Sequence, residues 1–191
     1  MNICLYGASS TELAQEYYDA AYKLGTILAR RGHTLVYGGG AQGVMGAAAR
    51  GAHEHGGRII GIAPTFFRVK GILYEECTQF IYTQTMQERK KLMMENSDAF
   101  IMAPGGIGTF EEFFEILTLK QLGRINPAII VFNVRGYYEP MQDFLRHTVC
   151  EGFAKPACMQ IYRVLDDAEE VIRSIETFDP TAFDVRHLKN I

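Results

Sequence analysis

The stretch AFIMAPGGIGTFEE, residues 99–112, carries the most informative structural pattern in the sequence. The apolar run at residues 99–103 predicts a buried strand, and the proline and glycines that follow predict a tight turn. The apolar spacing of residues 109–122 then predicts a helix. A glycine turn between a strand and a helix leaves backbone N–H groups open to a ligand, and this geometry favours a bound phosphate.

The same succession of short apolar run and longer helical segment recurs along the chain. Apolar strands that alternate with helices indicate a parallel sheet covered on both faces, so we expect a three-layer, doubly wound, Rossmann-like α/β fold in a single domain. The predicted strands are residues 3–6, 34–37, 58–63, 80–82, 99–103, 128–132 and 162–164. The first predicted helix is capped by Ser10 or Thr11 and ends at Gly32. The other predicted helices are residues 43–55, 86–97, 109–122, 138–150 and 168–175.

Composition narrows the class of protein. The chain has 191 residues, 48% of them hydrophobic, which suits one domain at residues 1–178 followed by a C-terminal extension at 179–191. A net charge of -3 argues against a nucleic-acid-binding protein. No basic and apolar leader or membrane-spanning run occurs, so we expect a cytoplasmic protein without a membrane partner. No metal site is expected, because the four cysteines lack paired spacing: Cys4, Cys77, Cys150 and Cys158.

Two further glycine turns follow predicted strands, at residues 7–10 and 38–43. All three turns should meet at one edge of a parallel sheet, where ligands bind. An ordinary tight turn explains residues 7–10, while for residues 38–43 a turn and a phosphate site stay equally open. The third turn favours a ligand, because Thr109, Glu111 and Glu112 follow it closely. The dinucleotide fingerprint and the Walker A motif are both absent.

A cationic cluster, MQERKK at residues 86–91, is the second notable pattern. Such a cluster usually forms a solvated helix face. However, this helix leads into the strand that precedes the third glycine turn, so its first half is expected near the same edge. Arg89 offers a planar fork of donors that suits a phosphate or the edge of a heterocycle.

With PGGIGTFEE placed fourteen residues after Arg89-Lys90, counted from the lysine, the chain resembles the LONELY GUY (LOG) family. The resemblance extends to YGGG at 37–40, VMG at 44–46, SDAF at 97–100 and GYY at 136–138. It implies a modified Rossmann fold and a homodimer with active sites at its interface, without a cofactor. It also implies hydrolysis of the N-glycosidic bond of a cytokinin-type adenosine 5′-monophosphate, giving the free base and ribose 5-phosphate.

The resemblance also assigns residues. Arg89 and Glu112 match the catalytic positions of the family. The positions that match nucleotide-contacting residues are Lys90, Gly106, Ile107, Gly108, Thr109, Glu111 and Thr118. Gly39, Gly40 and Met45 resemble residues around the same nucleotide, and Gly105 and Ser9, which lie in the glycine turns, complete the expected substrate-binding residues. Plant members carry an acidic substrate-contacting residue before the Arg-Lys pair, whereas this chain has a longer stretch, FFRVKG at residues 66–71. The preferred base and its N6 substituent therefore stay open.

Three other functions compete with this one. The same residues suit a nucleosidase that acts on AMP or another purine monophosphate in nucleotide salvage. The glycine turns also suit a module that senses nucleotides without hydrolysing them. A decarboxylase dependent on pyridoxal phosphate is disfavoured, because no lysine lies in a context that suggests a Schiff base.

Overall fold

The computed structural model describes residues 1–182, and in this range seven strands form one parallel sheet. The strands are β1 (Asn2–Tyr6), β2 (Thr34–Tyr37), β3 (Arg58–Pro64), β4 (Gln79–Thr83), β5 (Ala99–Met102), β6 (Ala128–Phe132) and β7 (Arg163–Leu165). Their order is β4-β3-β2-β1-β5-β6-β7, and every pairing is parallel. The predicted α/β class is confirmed, whereas most of the predicted extension, residues 183–191, lies outside the described range.

Six α-helices cover the two faces of this sheet in the described part of the chain. They are α1 (Gln15–Arg30), α2 (Gly43–Glu54), α3 (Met86–Glu95), α4 (Ile107–Gln121), α5 (Glu139–Cys150) and α6 (Ala168–Glu176). None of these described helices is long and apolar enough to cross a lipid bilayer.

Strand β1 shows how the core divides into two layers. Ile3 and Leu5 pack with apolar side chains of α1, α2 and α6, while Cys4 and Tyr6 pack with those of α3 and α4. Successive side chains of a strand point to opposite faces, so a central strand buried on both sides must be apolar throughout. This is why β1 reads as a continuous apolar run, as do β5 and β6.

The direction in which successive strands are added to the sheet reverses beside β1. From β1 the chain winds outward through β2 and β3 to β4, and then returns to place β5 against the other side of β1. A crevice opens at the carboxyl ends of the strands where such a reversal occurs. The glycine turns that follow β1, β2 and β5 all lie at this crevice.

The predicted start of α1 is wrong. This helix begins at Gln15, with Ala14 as its N-cap and no side-chain cap. Ser10 instead accepts a hydrogen bond of 3.3 Å from the backbone N–H of Glu12. The residues after β1 therefore run along the crevice before the helix starts, and the capping propensity of Ser10 and Thr11 serves a loop.

Helix α4 begins two residues earlier than the predicted Thr109. Gly106 is its N-cap, in an extended conformation, and Ile107 is its first residue. The earlier start places Gly108 and Thr109 inside the first helical turn, where backbone N–H groups have no partner within the helix. The glycine motif is therefore the N-terminus of α4 itself.

Candidate active site

A cavity of about 560 Å³ lies at the carboxyl ends of β1, β2 and β5. All three glycine turns contribute to its wall, as the sequence predicted. Side chains from α3, α4 and the segment between β3 and β4 complete it. The lining residues are Gly7, Ala8, Ser9, Ser10, Gly38, Gly40, Gln42, Met45, Phe67, Ile72, Leu73, Met86, Arg89, Gly106, Gly108, Thr109, Glu111 and Glu112.

A buried ion pair joins α3 to α4 at the wall of this cavity. Arg89 Nη2 donates to Glu112 Oε1 over 2.9 Å, and both residues are only 8% exposed. A Cβ atom at Gly38 would lie 2.2 Å from Arg89 Nη2, so the guanidinium occupies space that only glycine leaves free. Arg89 Nε is buried and has no hydrogen-bond partner among the described residues, and such a donor beside a cavity is one that a ligand or water would satisfy.

The protonation of Glu112 is shifted by its surroundings. Burial raises the pKa of this carboxyl to about 7, even though the charge of Arg89 opposes the shift. Glu111 lies nearby and adds to the rise. A carboxyl with a pKa near neutrality exists in both protonation states at physiological pH, which suits proton transfer or stabilisation of a developing cation.

Lys90 lies beside this pair and is held by two carboxylates of α4. Its ammonium forms ion pairs with Glu111 and, over 3.0 Å, with Glu115. The hydrogen bond to Glu111 is the main reason that the pKa of Lys90 is raised. Glu111 lines the cavity whereas Lys90 does not, so Lys90 acts on the cavity through the carboxylate it holds.

The N-terminus of α4 is open to a ligand. Gly106 makes no side-chain cap hydrogen bond, and no acidic side chain lies in the first turn. A Cβ atom at Gly106 or Gly108 would meet nothing within 4 Å, so the space above these residues is free. Unpaired N–H groups and the positive end of the helix dipole together form a site for an anion such as a phosphate.

Two tyrosines after β6 fix the backbone that leads into this helix. Tyr137 donates its hydroxyl to the carbonyl of Gly105 over 2.8 Å, and Tyr138 donates to the carbonyl of Ala103 over the same distance. Gly105 must be glycine for another reason, since a Cβ there would lie 2.1 Å from the hydroxyl oxygen of Thr109. The turn is therefore held in place before any ligand arrives.

The remaining predicted residues divide into two groups. Ser9, Gly40 and Met45 line the cavity, and a Cβ at Gly40 would come within 2.9 Å of the Met45 methyl group. Gly39 lies behind the wall: its φ is +76°, and a Cβ there would approach the Phe80 ring to 2.5 Å. Gly39 therefore shapes the loop and does not face the cavity.

Ile107 and Thr118 lie on the outer face of α4 and do not line the cavity. Ile107 is 87% exposed and, with Phe153, is the most exposed large apolar side chain of the described residues. Thr118 is also exposed and lies about three turns of helix further along.

Sequence reasoning missed the apolar wall formed by Phe67, Ile72 and Leu73. The segment at residues 65–79 has no clear period, and it contains only one short helix, Thr65–Phe67. Leu73 reaches the cavity because it forms a bridge with Gly40. The apolar pairs at 66–67 and 72–73 were the available signal.

Residues 1–182 contain no cluster of three histidine, cysteine, aspartate or glutamate side chains placed to hold a metal ion. The cavity instead offers backbone donors, one buried ion pair and an apolar wall.

Residues 45–175 match the protein family described as "Possible lysine decarboxylase". Cytokinin riboside 5′-monophosphate phosphoribohydrolase LOG5 of Arabidopsis thaliana is 37% identical over 178 residues, which cover 93% of this chain and 78% of that protein. The probable cytokinin riboside 5′-monophosphate phosphoribohydrolase LOGL5 of Oryza sativa subsp. japonica is 35% identical over 187 residues, which cover 98% of this chain and 76% of that protein. Among solved structures, the molybdenum cofactor binding protein of Rippkaea orientalis has a TM-score of 0.70 at 23% identity, and the match covers 92% of this chain and 97% of that protein. This likeness concerns the fold alone.

Proposed function

The chain belongs to the family of the cytokinin riboside 5′-monophosphate phosphoribohydrolases, and we propose that it hydrolyses the N-glycosidic bond of an N6-substituted adenosine 5′-monophosphate. The products are the free base and ribose 5-phosphate. The observation that carries this proposal is the buried Arg89–Glu112 pair, which lies at the wall of a cavity beside an uncapped helix N-terminus.

The 5′-phosphate binds at the N-terminus of α4. Backbone N–H groups of its first turn and the helix dipole hold it, and the absence of Cβ atoms at Gly106 and Gly108 lets it approach the backbone. This contact is remote from the bond that breaks. Its binding energy orients the ribose against Glu112.

Cleavage develops positive charge on the ribose, as in other glycoside hydrolyses. The Glu112 carboxylate stabilises that charge and takes a proton from water as the water oxygen bonds to C1′. The bond from C1′ to the base breaks, and the base leaves with the bonding electrons and takes up a proton from the solvent. Glu112 then releases the proton that it took from water to the solvent, which restores the carboxylate. Arg89 holds Glu112 in place through the hydrogen bond of 2.9 Å and faces the departing base.

Glu111 and Lys90 act at the rim of the cavity. Glu111 is one residue from Glu112, about 100° around the helix, so it accepts hydrogen bonds from the ribose hydroxyls. Lys90 orients the Glu111 carboxylate and adds positive charge near the nucleotide. The apolar wall at Phe67 and Leu73 suits a purine with an apolar N6 substituent.

The active form is a homodimer whose interface adjoins the cavity. Two exposed apolar side chains at the cavity support this part of the proposal: Ile107, in the first turn of α4, is 87% exposed, and Ile72, which lines the cavity, is 45% exposed. Apolar side chains grouped on a surface are typical of a protein–protein interface. Thr118 lies on the outer face of the same helix and would contact a nucleotide only across such an interface.

The test is to incubate the purified protein with AMP and with N6-isopentenyl-AMP and to measure the free base by chromatography. We expect release of base from N6-isopentenyl-AMP at a higher kcat/KM than from AMP. A preference for AMP would assign the chain to nucleotide salvage. Binding of purine monophosphates without any release of base would contradict hydrolysis and favour a sensor.

A further inference from the structure

A second cavity, of about 250 Å³, lies at the edge of the sheet opposite to the candidate active site. Ala128 and Arg163, the first residues of β6 and β7, line it, as do residues at the ends of α4 and α6. Its volume corresponds to about eight water molecules at about 30 Å³ each. Lys120, which lines this cavity, lies eight residues beyond Glu112 on α4, or about 12 Å along the helix axis.

Lys120 is the unusual residue of this cavity, since it is only 3% exposed. Its Nζ donates to the carbonyl of Pro127 over 2.6 Å and lies 4.6 Å from the centre of the Phe178 ring. An ammonium group has three donors, so two remain for other acceptors. Among residues 1–182 no carboxylate lies within ion-pairing distance of Lys120, and burial lowers its pKa to about 8.

The other charged groups around the cavity leave an excess of positive charge. Arg163 donates to the hydroxyl of Ser174 over 3.2 Å and forms no ion pair within the described range. Asp179 already accepts two hydrogen bonds from Thr181, of 2.8 and 2.7 Å. Two cations, Lys120 and Arg163, and one carboxylate, Asp179, therefore line the cavity. Their net charge of about +1 favours a ligand with a single negative charge.

The walls of the cavity are largely apolar, and Tyr162 is one more titratable group among its lining residues. Ile161, Phe178 and Pro180 supply apolar surface. Tyr162 stays neutral, because burial raises the pKa of its hydroxyl, which donates to Gln142 over 2.9 Å. Apolar walls around a buried cation are typical of sites for small organic anions.

We propose that this cavity binds a small monocarboxylate with an apolar body. Lys120 and Arg163 bind the carboxylate group, while Ile161 and Phe178 contact the apolar body. Binding gives a carboxylate partner to a buried ammonium that lacks one among residues 1–182, and such pairing offsets the cost of burying an uncompensated charge.

Calorimetric titration of the full chain with benzoate, at pH 7 and without nucleotide, tests the proposal. We expect saturable binding at one site per chain, no binding of the neutral analogue benzamide, and at least tenfold weaker binding of inorganic phosphate. Affinity for benzoate should fall about fivefold between pH 8 and pH 9, because Lys120, with a pKa of about 8, goes from about half protonated to about one-tenth protonated over that range. No saturable binding of benzoate, or equal binding of benzamide or phosphate, would overturn the proposal.

Two variants locate the site. Lys120→Met should weaken benzoate binding at least tenfold, whereas Lys23→Met, which removes an exposed lysine elsewhere, should leave the affinity unchanged. Cooperative thermal unfolding of each variant checks that the chain still folds. Unchanged affinity in Lys120→Met would overturn the proposal, and the comparison of benzoate with benzamide in the unmodified chain stands without any variant.

Discussion

The Arg89–Glu112 pair combines two features that oppose each other. Burial raises the free energy of the Glu112 carboxylate, and the adjacent guanidinium lowers it, with a net rise in pKa to about 7. An arginine keeps its proton at any physiological pH, so the pair changes charge only through Glu112. This residue is therefore the one whose chemistry can respond to a substrate.

Replacing Glu112 with glutamine keeps the size of the side chain and removes its charge. Glu112→Gln should lower kcat by about 100-fold or more, as expected for loss of a group that transfers protons or stabilises charge. The Kd for AMP should stay within about threefold, because the phosphate site is separate. Glu95→Gln, at the far end of α3, is the matched control. Turnover of Glu112→Gln close to that of the unmodified enzyme would exclude the role of this carboxylate.

The pH profile gives an independent check. In the proposed mechanism the ionised form of Glu112 is the active one. Because burial raises the pKa of Glu112 to about 7, kcat/KM should rise about tenfold per pH unit well below pH 7 and level off above it. The substrate phosphate also titrates, near pH 6. The pH dependence of AMP binding to Glu112→Gln isolates that contribution. A profile that is flat between pH 5.5 and 8 would contradict the assignment.

Helix α4 is the element on which the site depends. Its N-terminus offers donors for an anion, its first two turns carry Glu111 and Glu112, and its far end buries Lys120. The turn after β2 contributes differently, since Gly38 makes room for the Arg89 guanidinium.

Alanine at two of these glycines should separate binding from catalysis. Gly38→Ala places a Cβ against the Arg89 guanidinium and should lower kcat at least tenfold, because Arg89 is pushed away from Glu112. Gly106→Ala meets no protein atom and should raise KM about tenfold, with kcat within about threefold, because its Cβ occupies space that the phosphate needs. Steady-state kinetics measures both. The opposite division of the two effects would contradict this placement of the phosphate.

The sequence was sufficient to predict those strands and helices whose residue pattern is local. Apolar runs predicted the sheet, and glycines after β1, β2 and β5 predicted one shared edge. The start of α1 was wrong because a serine with capping propensity serves a loop there. The apolar wall within residues 65–79 was not predicted, because the position of Leu73 is set by its bridge to Gly40, a contact between distant residues. The burial of Lys120 was equally hidden, since a lysine on a helix is usually solvated.

At the scale of the whole molecule, the open cavity and the exposed Ile107 lie together on one side of the sheet. Ile72, which lines the cavity, is 45% exposed as well, and exposed apolar side chains grouped beside a cavity are typical of a surface that another chain covers. The proposed dimer would close the rim of the cavity and bring the outer face of α4 into the interface.

Ile107→Asp tests this arrangement. Sedimentation should give twice the chain mass of 21.5 kDa for the unmodified protein and the mass of one chain for the variant, because an interface disfavours a buried, unpaired carboxylate. An acidic residue is well tolerated in the first turn of a helix, so the chain should still fold. Phe153→Asp, at an equally exposed position, should remain a dimer. A monomeric unmodified protein would contradict the proposal.

Hydrolysis in water enriched in ¹⁸O shows which bond of the nucleotide breaks. With N6-isopentenyl-AMP as substrate, cleavage of the N-glycosidic bond places the label on C1 of ribose 5-phosphate, faster than C1 of unlabelled ribose 5-phosphate exchanges its oxygen in the same water, and leaves the released base unlabelled. Mass spectrometry of the products reads this out. Label in inorganic phosphate, together with an intact nucleoside, would show that the phosphate ester breaks instead and would contradict the account.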